Sequence, residues 1–263
     1  MALDEIAAVL GGKQRWCILH GDCLDVLPTL PERSVDHVIT DPPYCIDWGK
    51  AVTAGSSDDF AVRKGPLSKR AAGYAAFGNG DVARVGPRLA ANCRRWCLVW
   101  HEVEGGHLWR GALCPPLRYV RTGCWARSNP CPQFSGDRPA QGFELCTIAH
   151  SCDERMRWNG GGHAAHWRYR QQEGVTRDID HPTPKPLLLM LDLVRLFTDP
   201  GEVILDPFCG SGTTGVAALR LGRRFIGVEL NAGWAALARD RLLAEDRGST
   251  LAALRSGQEA LFR

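Results

Sequence analysis

Short apolar runs alternate with amphipathic stretches along most of this chain. Trp16 to His20, Asp36 to Thr40, Trp96 to Trp100, Val203 to Leu205 and Arg224 to Val228 read as strands. Arg118 to Ala126 and Glu144 to His150 read as two further extended segments. Helical stretches are expected up to Leu10 and over Leu24 to Leu30, Pro87 to Arg94, Leu108 to Leu113, Leu187 to Phe197, Thr213 to Leu221 and Ala232 to Leu243. Asn231 supplies an N-cap for the last of them. Such alternation predicts an α/β fold with a doubly wound, mostly parallel sheet, in a single domain spanning 1–263.

Two regions break the pattern. Residues 45–90 are rich in Gly, Ala, Ser, Lys and Arg and show no sustained period before Pro87, which predicts a mobile basic loop region. Residues 151–181 replace apolar periodicity with Arg, His, Trp, Tyr and Gly.

Charge matters here through its distribution. The net charge is only +3, yet Arg63, Lys64, Lys69, Arg70, Arg84, Arg88, Arg94 and Arg95 face the single acid Asp81 between Ala61 and Arg95. Such a run is either a solvated face or a phosphate-contacting surface. The eleven cysteines are irregularly spaced without a Cys-x-x-Cys pair, as expected for free thiols. Cys146, Cys152, His163 and His166 match no common zinc spacing, so no metal site is predicted. No apolar run approaches the roughly 20 residues of a membrane span, and the N-terminus lacks a signal peptide's basic start and apolar core. A cytoplasmic protein is expected.

Chemistry concentrates in two turns. Asp41-Pro42-Pro43-Tyr44 follows the apolar run 35–40. The prolines fix φ and supply no N–H, so the turn is stiff and presents a carboxylate, free carbonyls and a flat ring. At the carboxyl end of a parallel strand, those parts suit a planar ring that bears an amino group. The second turn, Asp206-Pro207-Phe208-Cys209-Gly210-Ser211-Gly212-Thr213-Thr214, lies between a predicted strand and a predicted helix. Its glycines let the backbone approach a ligand at a helix amino end. Gly210, Gly212 and Gly215 also satisfy Gly-x-Gly-x-x-Gly, so a nicotinamide-dependent oxidoreductase stays open, with Glu229 on ribose hydroxyls in either case. A Walker loop is excluded because no Lys-Ser/Thr follows the glycines.

Together, the two turns resemble the S-adenosylmethionine-dependent amino-methylating DNA methyltransferases, with their Asp-Pro-Phe-x-Gly-x-Gly-Thr-Thr cofactor loop and (Asp/Asn/Ser)-Pro-Pro-(Tyr/Phe) catalytic turn. The catalytic turn comes first, a circularly permuted order similar to the β group of that family and opposite to that of the protein-glutamine methyltransferases. Gly21-Asp22, Ser34-Val35-Asp36, Trp125-x-Arg127-x-Asn129-Pro130-x-Pro132 and His181-Pro182-Thr183-Pro184-Lys185-Pro186 extend the resemblance over roughly 21–243. Family members usually carry Lys where Arg127 stands, a change that keeps the charge but not the geometry.

The resemblance implies a Rossmann-like methyltransferase fold and a cytoplasmic enzyme of DNA methylation, of the kind found in restriction-modification. Asp206, Phe208, Gly210, Gly212 and Thr213 would surround S-adenosylmethionine, with Glu229 on its ribose and Asp22 near its adenine. Thr183 and Lys185 would contact the cofactor. Asp41 and the Pro42 carbonyl would accept from the target's exocyclic amine, and Pro43 and Tyr44 would complete the catalytic turn, Tyr44 stacking on the flipped base. Asp at the head of the turn favours adenine N6; cytosine N4 is the alternative. A nucleophile for carbon-5 methylation would have to be Cys131, which lies in a segment matching the amino-methyltransferases instead.

DNA is the expected partner, through Arg63, Lys64, Lys69 and Arg70 in the loop and Arg155, Arg157, Arg168 and Arg170 in a target-recognition segment at 151–181. Trp158, Trp167 and Tyr169 are interleaved there as candidate base contacts. A segment this short suits a short or loosely specified site. A non-catalytic DNA-binding relative would have lost part of the catalytic turn, which is intact here. A homodimer is compatible with the sequence. Gln258-x-x-Leu261-Phe262 resembles a sliding-clamp-binding peptide, but an amphipathic end docking Leu261 and Phe262 on its own domain is the favoured reading.

Overall fold

The computed structural model describes residues 2–44, 77–130, 137, 139–171, 173–174 and 184–256. Its centre is an eight-stranded sheet with strands β1 (Trp16–His20), β2 (His37–Thr40), β3 (Trp96–His101), β4 (Arg118–Arg127), β5 (Phe143–His150), β6 (His166–Tyr169), β7 (Val203–Asp206) and β8 (Arg224–Glu229). The order is β1-β8-β7-β2-β3-β5-β4-β6. Only β5 runs against the rest, pairing antiparallel with β3 and β4. The late strands β7 and β8 therefore sit between the early strands β1 and β2, which is the permuted order that the two turns predict.

Helices α1 (Ala2–Leu10), α2 (Cys23–Val26), α3 (Asn79–Asn92), α4 (Gly106–Leu113), α5 (Leu187–Phe197), α6 (Thr213–Arg220), α7 (Ala232–Asp246) and α8 (Leu251–Arg255) complete the described elements. Successive strand residues point to opposite faces. Ile39, Leu98, Trp100, Ile204 and Phe225 pack beneath α5, α6 and α7. Val38, Cys97, Val99, Leu205 and Ile226 pack beneath α1, α3 and α4. Covered on both faces, β2, β3 and β7 are buried along their whole length, and this explains their unbroken apolar character.

Four elements differ from the sequence expectation, the short unforeseen helix α8 among them. Helix α3 begins at Asn79, eight residues before Pro87, which lies inside it. Gly80, Gly86 and Pro87 depress local helix propensity, and burial of Val82, Val85 and Leu89 overrides it. Gly86 also permits close packing, since a Cβ there would stand 2.4 Å from Ala112 Cβ. Leu24 to Leu30 divides into α2 and a 3₁₀ turn, Leu27–Thr29, at Pro28. Strand β6 was not foreseen; it forms because β4 offers it an edge over Cys124–Arg127, a tertiary cause without a local pattern.

The described part of 151–181 is thus partly sheet and core. Trp167 is buried, Trp158 stands edge-on to Phe197, and the Tyr169 hydroxyl donates to Asp192. Trp167 thus belongs to the core, while Trp158 and Tyr169 are partly buried against α5. Among the described residues no group of three or more His, Cys, Asp or Glu side chains is placed to hold a metal ion, and no helix is long and apolar enough to cross a membrane. Gln258, Leu261 and Phe262 lie outside the described residues.

Candidate active site

One rim of the sheet collects the carboxyl ends of β1, β8, β7, β2 and β3 together with the amino end of β5. Chain connections leave β7 towards β8 on one side and β2 towards β3 on the other. A crevice at such a switch point is where open α/β sheets bind ligands. The two chemically loaded turns both open into it, one from β2 and one from β7, and these strands pair directly.

The glycine turn is held from within. Asp206 ends β7 and is buried; its carboxylate accepts from Thr40 Oγ1 (2.7 Å), Thr214 Oγ1 (2.7 Å) and Phe208 N (3.2 Å). Burial raises its pKa to about 6, against the lowering effect of those three donors. Gly210 and Gly212 have φ of 51° and 80°, where a side chain would be strained. Gly212 opens α6. Glu229, at the end of β8, accepts from Gly210 N (2.9 Å) and Asn231 N (2.8 Å), and burial raises its pKa. Arg241 of α7 is buried against the same loop, where Nη1 donates to Ser211 Oγ (3.0 Å), the Ser211 carbonyl and Thr213 Oγ1 (3.3 Å). Burial brings its pKa down to about 10.

The proline turn is held from outside. Lys185 Nζ lies 2.5 Å from Asp41 Oδ2 and 2.8 Å from Glu144 Oε2. Arg127 closes the row on Glu144 Oε1. The ammonium also lies 5.8 Å, 5.9 Å and 5.8 Å from the ring centroids of Tyr44, Trp100 and Trp125. Asp41 Oδ1 is buried and has no hydrogen-bond partner among the described residues. Two acid oxygens thus have opposite fates: one holds a lysine, and the other is a buried acceptor without a partner among the described residues.

Other sequence-predicted residues are distributed as follows. Asp22 caps α2 by accepting from Leu24 N (2.8 Å), one residue beyond Gly21, whose N–H donates to the Glu229 carbonyl. Phe208 stands edge-on to Phe77 at 5.5 Å. Arg168 and Arg170 are exposed in and just after β6, whose Tyr169 pairs with Arg127 on the active rim. Arg155 and Arg157 are exposed near the opposite rim, where the Arg157 carbonyl accepts from Trp96 Nε1 at the start of β3. Arg94 and Arg95 are no free basic surface, because they pair with Asp36 and Glu202 at that opposite rim. Arg63, Lys64, Lys69, Arg70, Cys131 and Thr183 lie outside the described residues.

Sequence reasoning missed Thr40, Trp100, Glu144 and Arg241. Thr40 and Glu144 are polar residues in largely apolar strands. Trp100 continues its strand's apolar run and Arg241 stands in a helix of mixed character, so no shared sequence signal marks the four.

Comparison with known proteins agrees with this geometry. The DNA methylase family model matches residues 122–240. The chain is 27% identical over 267 residues to the type II methyltransferase M2.DpnII of Streptococcus pneumoniae, covering 89% of this chain and 92% of that protein. It is 26% identical over 258 residues to M.HinfI of Haemophilus influenzae, covering 86% and 67%. Among solved structures, the M1.HpyAVI–SAM complex superposes with a TM-score of 0.62 at 23% identity, covering 86% of this chain and 100% of that one. The PvuII cytosine-N4-specific DNA methyltransferase superposes with a TM-score of 0.67 at 16% identity, covering 92% and 91%. The chain resembles DNA amino-methyltransferases in sequence, as its motifs indicated, and shares their fold.

Proposed function

We propose that this chain transfers a methyl group from S-adenosylmethionine to the exocyclic amine of a base in DNA, adenine N6 in the first instance. The observation that carries the reading is the unused acceptor Asp41 Oδ1, in a turn that follows β2, the strand paired with the one that leads into the glycine loop. The residues fit the cofactor. Gly210 and Gly212 let the backbone approach it, and the Glu229 carboxylate, which accepts backbone N–H groups including those of Gly210 and Asn231, has acceptor capacity left for a ribose diol. When bound, S-adenosylmethionine supplies an electrophilic methyl group on a sulfonium. Asp41 Oδ1 accepts one amine hydrogen and the Pro42 carbonyl the other, which turns the nitrogen lone pair towards the methyl carbon. A base inside a duplex cannot reach this crevice, so the target is flipped and stacks on Tyr44. In the transfer the carbon–sulfur bonding pair would stay on sulfur, and the proton shed by the methylated nitrogen would pass by way of Asp41 Oδ1 to water.

The first residue of the turn is the ground for choosing adenine. Cytosine N4 is the second reading: the PvuII enzyme, cytosine-N4-specific, shares this fold. A nicotinamide enzyme would use the glycines, including Gly215 packed on Phe225, but leaves the Asp41 acceptor without a task. Arg168 and Arg170 are the proposed phosphate contacts on the active rim. Their replacement should reduce the salt dependence of DNA binding by about one counterion each.

Radiolabelled methyl transfer to unmodified DNA, followed by digestion to nucleosides and mass spectrometry, tests the reading. Transfer is expected, lost in Asp41→Ala, with N6-methyladenine as product. N4-methylcytosine would select the second reading. Absence of transfer, with nicotinamide cofactor binding by calorimetry, would overturn the proposal.

A further inference from the structure

We infer that Glu144 is a positioning residue for methyl transfer, acting through Lys185 to fix which oxygen of Asp41 meets the target amine. The inference rests on the function proposed above. Glu144 stands near the start of β5, opposite Trp125 of β4, and is 5% exposed. A carboxylate at such depth is costly unless paired, and this one is paired twice, with Arg127 on Oε1 and Lys185 on Oε2. Lys185 is shared in turn between Glu144 and Asp41. Negative and positive groups thus alternate along Asp41, Lys185, Glu144 and Arg127, and their charges sum to zero.

This row determines orientation. An ammonium with one carboxylate neighbour can straddle both of its oxygens or swing between them. Drawn also towards Glu144, and confined by the rings of Tyr44, Trp100 and Trp125, Lys185 meets Asp41 at Oδ2. Oδ1 is left as the unused acceptor. Without the Glu144 charge, Lys185 is released towards Asp41 and competes with the target amine for Oδ1. Arg127 acts in the same row, because its guanidinium holds Glu144 from the far side.

The test is single-turnover methyl transfer with Glu144→Gln, an uncharged isostere. The transfer rate is expected to fall about 10-fold, with the dissociation constant for S-adenosylmethionine within about twofold of wild type. Glu144→Asp, which keeps the charge at shorter reach, should recover part of the rate. In a Lys185→Met background the Glu144→Gln change should cost less than about twofold, since the group through which it acts is gone. Thermal melting establishes that each variant is folded. Should Glu144→Gln not fold, the smaller loss in Glu144→Asp carries the same comparison against Lys185→Met. A wild-type rate in Glu144→Gln, an undiminished cost without Lys185, or a loss confined to cofactor binding would each overturn the inference. If wild-type protein transfers no methyl group, the proposed function has failed; if it does and Glu144→Gln matches it, only the role of Glu144 has.

Discussion

The two turns that meet at the crevice are anchored in opposite ways. The glycine turn after β7 is closed by its own neighbourhood: Asp206 on Phe208 and Thr214, Gly210 on Glu229, and Ser211 and Thr213 on Arg241. The proline turn after β2 is stiff along its backbone, but its carboxylate is aimed by Lys185, 144 residues further on, and through it by Glu144 and Arg127. The glycine loop is thus held mainly by the contiguous stretch from β7 to α7, with Thr40 of β2 the partner from elsewhere. The carboxylate proposed for catalysis is aimed only when strands from distant parts of the chain have assembled. Binding and chemistry should therefore be separable by mutation.

Lys185→Met should produce the largest effect. Asp41 then lacks its orienting cation, and transfer is expected to fall roughly 10³-fold, since misaligned reacting groups and lost polar stabilisation each cost orders of magnitude. The glycine turn should be untouched. Calorimetry showing equally weakened S-adenosylmethionine binding would break the contrast between the turns.

Asp206→Asn gives the next largest effect, through pH. Burial raises the folded pKa of Asp206 from 3.8 to about 6, so the folded protein favours the protonated acid. Its stabilising contribution is full below pH 3.8 and is lost as pH rises through about 6. The shift corresponds to about 3 kcal/mol. Asparagine cannot ionise, so the stability of wild type relative to Asp206→Asn should decline by about that amount between pH 4 and pH 7. Urea unfolding across this range measures it, and a flat difference would remove the burial argument. Arg241→Met should follow, at about 2 kcal/mol, because charge-assisted bonds to Ser211 and Thr213 are lost while the stem is replaced. It should weaken cofactor binding more than it slows transfer at saturation, the reverse of Lys185→Met.

The same contrast explains what could be read from the sequence. The glycine turn was legible because its conformation follows from adjacent residues, and the strands were legible because burial on both faces leaves an apolar run. The catalytic turn was legible as a motif, but its support was not. Nothing near Glu144 distinguishes it from a solvated strand residue, and the resemblance gave no hint that Lys185 also pairs with Asp41 and Glu144. Strand β6 was hidden for the same reason, being formed by an edge that only the folded sheet provides. Arg155 and Arg157 were grouped with Arg168 and Arg170 by proximity in sequence, yet the chain crosses from one rim to the other between them.

Thr40 is the direct link between the two turns. Its hydroxyl, buried at the last position of β2, donates to Asp206 Oδ1 at the end of β7, so the residue before the catalytic Asp41 is tied to the base of the cofactor loop. Thr40→Val keeps the shape and removes the donor, while Asp206 retains Thr214 and Phe208 N. The expected cost is about 1 kcal/mol, the net value of one such bond, readable as a small drop in melting temperature that Thr40→Ser largely restores. If each turn is anchored independently, cofactor affinity and transfer rate should both change by less than about threefold, a range within which lost free energies of this size fall when spread over two sites. A much larger loss of transfer at unchanged stability would mean that this hydroxyl, and not the remote charge row, sets the reach of Asp41 towards the methyl donor. The contrast between a locally closed and a remotely aimed turn would then give way to a single unit spanning β2 and β7.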